Sequence, residues 1–209
     1  MVAASLVVTS GAIAAGTAKP PVFGGDPVAG KIKLEAERCL ECHDANGQDS
    51  SNGPLNKFAT LSGQYPGYIV KQVQDFRHER RHYDFMTMMA GTLSDTDLFD
   101  IAAYFGTGKK MQADGGVDSP VARKLFQNGD PARAVIACVA CHGVRGQGAV
   151  AANVIYPVIG GQQWSYLEQQ LRDWRSGERK NSPGNVMNGI AKSLTDEELL
   201  ALSHYIAGL

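Results

Sequence analysis

The sequence predicts an all-α protein that consists of two tandem domains of similar structure. The chain repeats its own motifs in the same order after 98 to 101 positions, which indicates duplication. Apolar residues recur at helical spacing in both copies, and no segment alternates convincingly between apolar and polar residues as a half-buried strand does. A length of 209 residues is compatible with one large domain or two small ones, and the repeat favours two.

The repeat includes the most distinctive motif of the chain. The segment Cys39–His43 recurs as Cys138–His142, 99 positions later, and Leu61–Gln64 recurs as Ile159–Gln162, 98 positions later. Further residues keep the same order: Tyr68, Gln72, Phe76, Arg77, Met86, Leu93 and Tyr104 recur as Tyr166, Gln170, Trp174, Arg175, Met187, Leu194 and Tyr205. Because the order is kept throughout, we interpret the chain as two copies of one unit.

The repeat and the local composition divide the chain into four segments. Residues 1–18 are almost entirely apolar or small and resemble a secretory signal. The first domain is expected at 19–107, a linker rich in Gly and polar residues at 108–119, and the second domain at 120–209. For residues 1–18 a flexible tail and a retained membrane anchor are the alternatives, and the short run of small residues disfavours a transmembrane helix.

Each copy is predicted to contain three main helices. The first helices are expected at Pro27–Arg38 and Pro120–Asn128, and the middle helices at Gly67–Glu79 and Trp164–Ser176. The last helices begin after Ser94 and Thr195, which offer capping hydroxyl groups followed by acidic residues in the first turn. Three short helices in about 90 residues give a thin core, so another body is expected to fill each domain.

The overall charge and composition exclude several classes of protein. Lys and Arg number 20 and Asp and Glu number 21, which gives a net charge of −1. No basic excess indicates a nucleic-acid partner. A hydrophobic fraction of 44% and a charged fraction of 20% are ordinary for a globular protein.

All four cysteines lie in two C-x-x-C-H motifs, formed by Cys39 and Cys42 before His43, and by Cys138 and Cys141 before His142. Two thiols at this spacing can reach two neighbouring vinyl groups of a porphyrin, and the following His can bind the iron. The motifs therefore predict two covalently attached haem c groups with iron ligated by His43 and His142. Zinc binding, a thioredoxin-type redox motif and disulfides are the alternatives, and the duplication of the whole motif disfavours all three.

The sixth iron ligand is predicted to be Met86 in the first copy and Met187 in the second, because Met recurs between the copies and the remaining histidines do not. Met88 and Met89 compete with Met86 but have no methionine counterpart, so soft packing is their expected role. His82 is an alternative ligand. Met111 is expected to have no particular role.

An iron with both axial positions filled passes electrons and does not readily bind oxygen or a substrate. No catalytic triad, phosphate loop or paired carboxylates stand out in the sequence, so no catalytic residue is assigned. The Gly-rich segment 143–148 follows a C-x-x-C-H motif and is interpreted as a turn-rich loop rather than a phosphate site.

The order of these motifs resembles the dihaem cytochrome c4 family, over nearly all of the chain after residue 25. The segments from Leu194 to Asp196 and from Ser203 to Leu209 are especially similar to that family's C-terminus. The resemblance implies two class I cytochrome c domains, each wrapped around one haem c, related by a pseudo-twofold axis with facing haem edges. It also implies a periplasmic carrier that takes electrons from a quinol-oxidising complex or dehydrogenase and delivers them to a terminal oxidase or other acceptor.

The resemblance assigns roles to several further residues. Pro157 stands where the family has a proline whose carbonyl accepts the N–H of the proximal imidazole; the first copy has Ala59 there, and Gly53–Leu55 is an alternative source of the carbonyl. Arg81 and Arg179 are candidate contacts of the haem propionates, with a solvated cation as the alternative. The glutamines Gln64 and Gln162 are expected to be structural or domain-interface residues rather than redox-active ones. The tyrosines Tyr104 and Tyr205 are expected to pack against other helices.

The leading hypothesis is an electron-transfer protein rather than an enzyme, whose partners are redox proteins. Membrane contact is expected only through those partners or an uncleaved leader. The principal alternative is a dihaem subunit of an oxidoreductase of the flavocytochrome or alcohol dehydrogenase type. A dihaem peroxidase is a third possibility, and the recurring methionine disfavours it because a peroxidase needs a vacant iron position.

Overall fold

The computed structural model describes residues 24–43, 58–112, 116–151 and 153–209. The expected leader at 1–18 and the alternative carbonyl source at Gly53–Leu55 lie outside these residues, as does part of the expected linker. Two mostly helical units follow each other along the chain, as the sequence predicts. No helix in the described ranges is long and apolar enough to cross a membrane.

The first unit is built from four α-helices and one short turn of 3₁₀ helix within the part described. These are α1 (Pro27–Ala36), the 3₁₀ turn (Cys39–Glu41), α2 (Pro66–Arg77), α3 (Asp84–Thr92) and α4 (Asp95–Gly106). The second unit repeats this order as α5 (Pro120–Asn128), α6 (Val139–His142), α7 (Trp164–Ser176), α8 (Val186–Lys192) and α9 (Asp196–Ala207). It also contains 3₁₀ turns at Pro131–Arg133 and Pro183–Asn185 and the strands β1 (Ala149–Ala151) and β2 (Val154–Tyr156).

The predicted helices of the second copy agree with the structure at Pro120–Asn128 and Trp164–Ser176. The first copy differs at the helix ends, because α1 stops at Ala36 rather than Arg38 and α2 covers Pro66–Arg77 rather than 67–79. Arg38 has φ of 58° and Glu79 has φ of 54°. These left-handed residues end the helical geometry, and neither is the glycine or asparagine that would have marked the position in the sequence.

Several elements were not predicted. Helices α3 and α8 carry the predicted methionine ligands, and the strands β1 and β2 form an antiparallel pair in which Ala149 faces Tyr156. Strands of three residues are too short to show an alternating pattern. The 3₁₀ turn Pro183–Asn185 lies where the offset between the copies grows from 98 to 101, so it accounts for that three-residue drift.

The expected caps are present at the last helix of each unit. The hydroxyl of Ser94 accepts the N–H of Asp97, and the hydroxyl of Thr195 accepts the N–H of Glu198. Both acidic side chains in turn accept the backbone N–H of the capping residue, which completes two capping boxes. The same sequence signal therefore fixes the start of α4 and α9.

In each unit the first helix packs against the last. The first core contains Leu34, Ile69, Val70, Leu98, Ile101, Ala102 and Phe105. The second core contains Ala122, Leu125, Phe126, Val135, Leu167, Leu171, Leu194, Leu199, Leu202, Ile206 and Ala207. Tyr104 and Tyr205 pack against these cores as expected, and the ring of Tyr205 lies 5.5 Å from that of Phe126.

The close contact of α1 and α4 depends on Gly30, and we expect Gly30→Ala to lower the free energy of unfolding by about 1–3 kcal/mol. A Cβ atom at this position would lie 2.0 Å from the carbonyl oxygen of Asp100, so the two helices would have to separate. Chemical denaturation of the holoprotein measures the change.

The matched control is Gly91→Ala in α3, where a Cβ would meet no heavy atom within 4 Å. This substitution is expected to raise stability by about 0.5–1 kcal/mol, because alanine loses less backbone entropy in a helix. Equal stability of the two variants would contradict the close helix contact.

Candidate haem sites

The second C-x-x-C-H motif forms a short helix that places its histidine inside the domain. Cys138 precedes α6, and Gly143, with φ of 77°, ends it. His142 is 9% exposed, and its Nδ1 lies 3.0 Å from the carbonyl oxygen of Pro157. Because a carbonyl oxygen can only accept, Nδ1 carries the proton, and the lone pair of the neutral ring is on Nε2, the nitrogen left for a metal.

The first motif reproduces this arrangement on a 3₁₀ turn. The backbone N–H of His43 donates to the carbonyl of Cys39, and Nδ1 of His43 lies 2.7 Å from the carbonyl oxygen of Ala59. Burial lowers the pKa of both histidines, which favours the neutral form that a metal requires. Ala59 therefore does what Pro157 does in the second copy, and the alternative acceptor at Gly53–Leu55 is not needed.

The environment of the cysteines disfavours the competing interpretations. None of the four is in a disulfide. Burial raises the pKa of Cys138 to about 11 and also raises that of Cys39, the reverse of what a thioredoxin-type nucleophile needs. Among the residues that the structure describes, no group of three His, Cys, Asp or Glu side chains is placed to hold a metal ion.

The histidine of each motif lines a cavity that is also lined by a predicted methionine, and His142 lines both cavities. A cavity of about 790 Å³ is lined by Cys138, Cys141, His142 and Met187, among others. A second cavity of about 530 Å³ is lined by His43 and Met86. Both volumes fall in the range of sites that enclose a cofactor. The structure thus brings together the histidine and the methionine that the sequence assigned to each copy.

The competing ligands are less favourably placed. Met88 is 58% exposed, so it does not pack into the protein core. The side chain of His82 is 64% exposed, and its Nε2 lies 2.9 Å from the Asp84 carboxylate. Met111, for which no role was expected, is 5% exposed, and its sulfur lies 3.4 Å from Nε2 of Gln162.

Arg81 and Arg179 lie together between the two domains. Arg81 donates to the side chains of Gln72, Tyr166 and Gln170 at 2.6–3.0 Å. Arg179 donates to Gln72, Tyr68 and Gln170 at 2.7–3.0 Å. Each arginine thus contacts a tyrosine and a glutamine of the other domain, as twofold symmetry requires. The aromatic rings of Phe76 and Trp174 lie beneath the two guanidinium groups.

These two cations fit the carboxylate groups of a haem. Within the described residues, every side-chain acceptor of their hydrogen bonds is a neutral amide or hydroxyl oxygen. Arg179 is 4% exposed, so the alternative of a solvated cation is wrong for it, and burial together with the charge of Arg81 lowers its pKa. The buried Nε1–H of Trp174, which lines both cavities, has no partner among the described residues. A buried anion would satisfy all three groups.

Gln64 and Gln162 join the two domains through paired hydrogen bonds, which confirms their expected place at the interface. The side-chain amide of Gln162 accepts the N–H of Thr60 at 2.8 Å and donates to its carbonyl at 2.9 Å. Gln64 makes the corresponding bonds to Val158, at 3.0 and 2.9 Å. The sequence identified both glutamines through their repetition, but nothing in it marked Thr60 and Val158 as their partners.

One part of the interface lacks this symmetry. The side-chain amide of Asn181 donates to the carboxylate of Asp75 at 2.7 Å. The backbone carbonyl of Asn181 accepts a hydrogen bond from the ammonium group of Lys71 at 2.9 Å. Burial opposes ionisation of Asp75, but bonds from Lys71, Arg80 and Asn181 lower its pKa. The positions that correspond to Lys71 and Asn181 are Gln169 and Tyr83, and Tyr83 is 49% exposed.

Comparison with known proteins gives a consistent assignment. The Cytochrome c family profile matches residues 28–109 and 122–209. Cytochrome c4 of Thiocapsa roseopersicina is 39% identical over 188 residues, which cover 88% of this chain and 93% of that protein. A thiosulfate dehydrogenase electron acceptor of Stutzerimonas stutzeri is 34% identical over 183 residues, covering 83% of this chain and 80% of that protein. The crystal structure of reduced recombinant cytochrome c4 from Pseudomonas stutzeri superposes with a TM-score of 0.77 at 36% identity, covering 88% and 99% of the two chains.

The ring of His142 is held by the backbone carbonyl of residue 157, so we expect Pro157→Ala to leave the hydrogen bond of the His142 ring intact. The first copy makes the same bond from Ala59. Stability should fall by only about 0.4–1 kcal/mol, because alanine gives the unfolded chain more freedom. Nitrogen-15 NMR of the histidine ring and denaturant unfolding measure the two effects, and a changed Nδ1 signal of His142 would show that the proline ring itself is needed.

Proposed function

Because the chain belongs to the dihaem cytochrome c4 family, we propose that it carries single electrons in the periplasm between a respiratory donor and a terminal oxidase or other acceptor. The family's members carry two covalently bound haem c groups and transfer electrons rather than act as enzymes. The observation that carries the proposal is that, in both domains, the histidine of the C-x-x-C-H motif and the recurring methionine line one cavity. The donor is a quinol-oxidising complex or a dehydrogenase.

The residues that would hold each haem follow from this pairing. Cys39 and Cys42 in the first domain, and Cys138 and Cys141 in the second, would form the thioethers. Each haem supplies a one-electron couple at its iron, and a thioether ligand raises its reduction potential. His43 and Met86 would be the axial ligands of the first domain. His142 and Met187 would take these roles in the second.

The protein's own contribution is to keep both axial positions filled and to limit reorganisation. The carbonyl groups of Ala59 and Pro157 fix the ring orientation of the two histidines. A methionine bound to each iron would leave no vacant position for a substrate, which argues against the peroxidase alternative. Tyr68, Gln72 and Arg179 line both cavities, so the two sites adjoin each other at the domain interface, as electron transfer between the domains would require.

The charged groups of the interface would contact the haem propionates. Arg179 is buried and Arg81 is partly buried, and neither bonds to a carboxylate among the described residues; Trp174 supplies an N–H that has no partner there. A buried cation favours the reduced state, because reduction removes one positive charge from the iron. These groups therefore raise the potential as well as anchor the cofactor.

The location and segment boundaries belong to the same proposal. Residues 1–18 would export the chain and would be followed by domains at 19–107 and 120–209 with a linker at 108–119. The near-neutral composition offers no surface for nucleic acid. Contact with a membrane would be made through redox partners or through an uncleaved leader.

A second function, as the electron-accepting subunit of a dehydrogenase, is favoured by one specific observation. A relative at 34% identity is a thiosulfate dehydrogenase electron acceptor. Stopped-flow reduction by a purified thiosulfate dehydrogenase, compared with reduction by a quinol-oxidising complex, distinguishes the two. Fast reduction by the dehydrogenase alone, or copurification with it, would favour the subunit role over the carrier.

Met86→Ala and Met187→Ala are each expected to lower the potential of one haem and to leave the other unchanged, because the thioether favours ferrous iron. A spectroscopic redox titration counts the haems and assigns each potential. Carbon monoxide should bind each reduced variant but not the parent protein. Met88→Ala is the control, because its exposed side chain should not affect either haem. A potential unchanged in Met86→Ala would contradict the assignment and direct attention to His82.

Arg179→Gln is expected to lower the potential by about 1–2 kcal/mol of redox free energy, taking a separation near 10 Å and an effective dielectric constant of about 20. Lys180→Gln makes the same change of charge at the neighbouring exposed position and should have little effect, because water and salt screen it. Redox titrations of both variants at one ionic strength provide the test. Equal shifts would contradict a buried propionate contact.

A further inference from the structure

The peptide groups that hold the two histidines are hydrogen-bonded at both ends. In the group that joins Ala59 to Thr60, the carbonyl accepts Nδ1–H of His43 at 2.7 Å, and the N–H donates to Oε1 of Gln162 at 2.8 Å. In the group that joins Pro157 to Val158, the carbonyl accepts Nδ1–H of His142 and the N–H donates to Gln64, both at 3.0 Å. In each case the glutamine belongs to the opposite domain.

The orientation of the two glutamine amides is fixed by their surroundings. Oε1 of Gln162 accepts from Thr60 and from the N–H of Gln163 at 2.9 Å, whereas its Nε2 faces the carbonyl of Thr60 and the sulfur of Met111. A flipped amide would set N–H groups against N–H groups. Oε1 of Gln64 likewise accepts two backbone N–H groups, those of Val158 and Tyr65.

These bonds lie in a region that excludes water. Gln162 is 4% exposed, Gln64 is 5% exposed and Thr60 is 6% exposed. In such surroundings hydrogen bonds in a chain polarise one another, because little solvent screens them. An acceptor on the N–H side of a peptide group shifts electron density toward its carbonyl oxygen. The carbonyl then becomes a better acceptor for the imidazole N–H.

We propose that Gln162 and Gln64 are positioning residues that act across the domain interface on the histidine ligand of the opposite haem. The inference rests on the proposed function, because it takes His43 and His142 as axial ligands. A stronger bond at Nδ1 makes the imidazole a more basic ligand, and a more basic ligand favours ferric iron. Gln162 of the second domain thus lowers the potential of the first-domain haem, and Gln64 of the first domain lowers that of the second.

The test uses the holoprotein with Gln162→Met or Gln64→Met, which keep the side-chain length and remove the acceptor. Each haem is assigned by the signal lost in Met86→Ala or Met187→Ala. Gln162→Met should raise the potential of the first-domain haem and shift the equilibrium of electron sharing toward it by about twofold or more. Gln64→Met should shift this equilibrium in the opposite direction.

The matched control is Tyr65→Phe, which removes a hydrogen bond between the domains from the hydroxyl of Tyr65 to the carbonyl of Gln147. This bond does not involve either histidine-bearing peptide group, so both potentials should stay unchanged. The proposal would be overturned if the potential of the haem in the mutated domain shifted instead, or if the potentials of both haems shifted equally. The same shift in Tyr65→Phe would also overturn it, because the effect would then come from loosening of the interface.

A second readout separates this relay from a merely structural role. In the reduced protein, the nitrogen-15 signal of the His43 ring should move in Gln162→Met toward that of a weaker Nδ1–H bond, while the signal of His142 stays in place. If the methionine variant does not fold, Gln162→Glu keeps an oxygen acceptor for Thr60 and should move both the His43 signal and the potential in the opposite direction. An unchanged His43 signal would overturn the relay.

Failure of the proposed function would be visible separately. If either histidine were not an axial ligand, its ring signal in the unmodified reduced protein would be that of a free imidazole. The relay is overturned instead when the unmodified protein shows both ligands and the glutamine variants show no crossed shift.

Discussion

Each domain of about 90 residues is built from short helices and buries only a small core of apolar side chains. The first core is formed by only seven buried residues among those described, and it borders a cavity rather than enclosing a centre. The haem therefore has a structural role as well as a redox role. The helix ends, the C-x-x-C-H turns and the interface are all arranged around the need to enclose a large, flat and mostly apolar group on every side.

Neither domain completes that enclosure without the other. Tyr166 and Gln170 of the second domain line the cavity of the first, while Tyr68 and Lys71 of the first line the cavity of the second. The interface is correspondingly polar at its centre, where Arg81 and Arg179 replace the apolar residues usual in a permanent contact. A buried cation is stabilised by an anionic partner, and the proposed contacts with haem propionates would supply one to these arginines.

The sequence predicted those features that depend on a short segment and that recur in both copies. The capping boxes at Ser94 and Thr195 and the extents of α5 and α7 are of this type, because caps and helical spacing are properties of short segments. The two C-x-x-C-H motifs have a chemical meaning that needs no tertiary context. The fold also places each motif's histidine and the recurring methionine of the same copy on one cavity, as the sequence predicted.

Other features depend on tertiary context and left no local signal. Arg179 stands in a charged segment that gives no sign of burial, and Met111 stands in a segment that resembles a flexible linker. The acceptor for His43 is a backbone carbonyl, and every residue has one, so only the alignment of Ala59 with Pro157 pointed to it and the alternative at Gly53–Leu55 stayed open. The left-handed residues Arg38 and Glu79 ended their helices without a glycine to mark the place.

The broken symmetry around Asn181 has an evolutionary consequence. In a dimer of identical chains every substitution at a twofold interface appears twice, so a change that suits one side must also be tolerated on the other. Duplication within one chain removes that restriction. Lys71 could be acquired opposite Asn181 while the corresponding pair became Gln169 and Tyr83. The two domains of one chain can therefore diverge separately. A protein with two similar centres can in this way evolve a preferred direction of electron transfer between them.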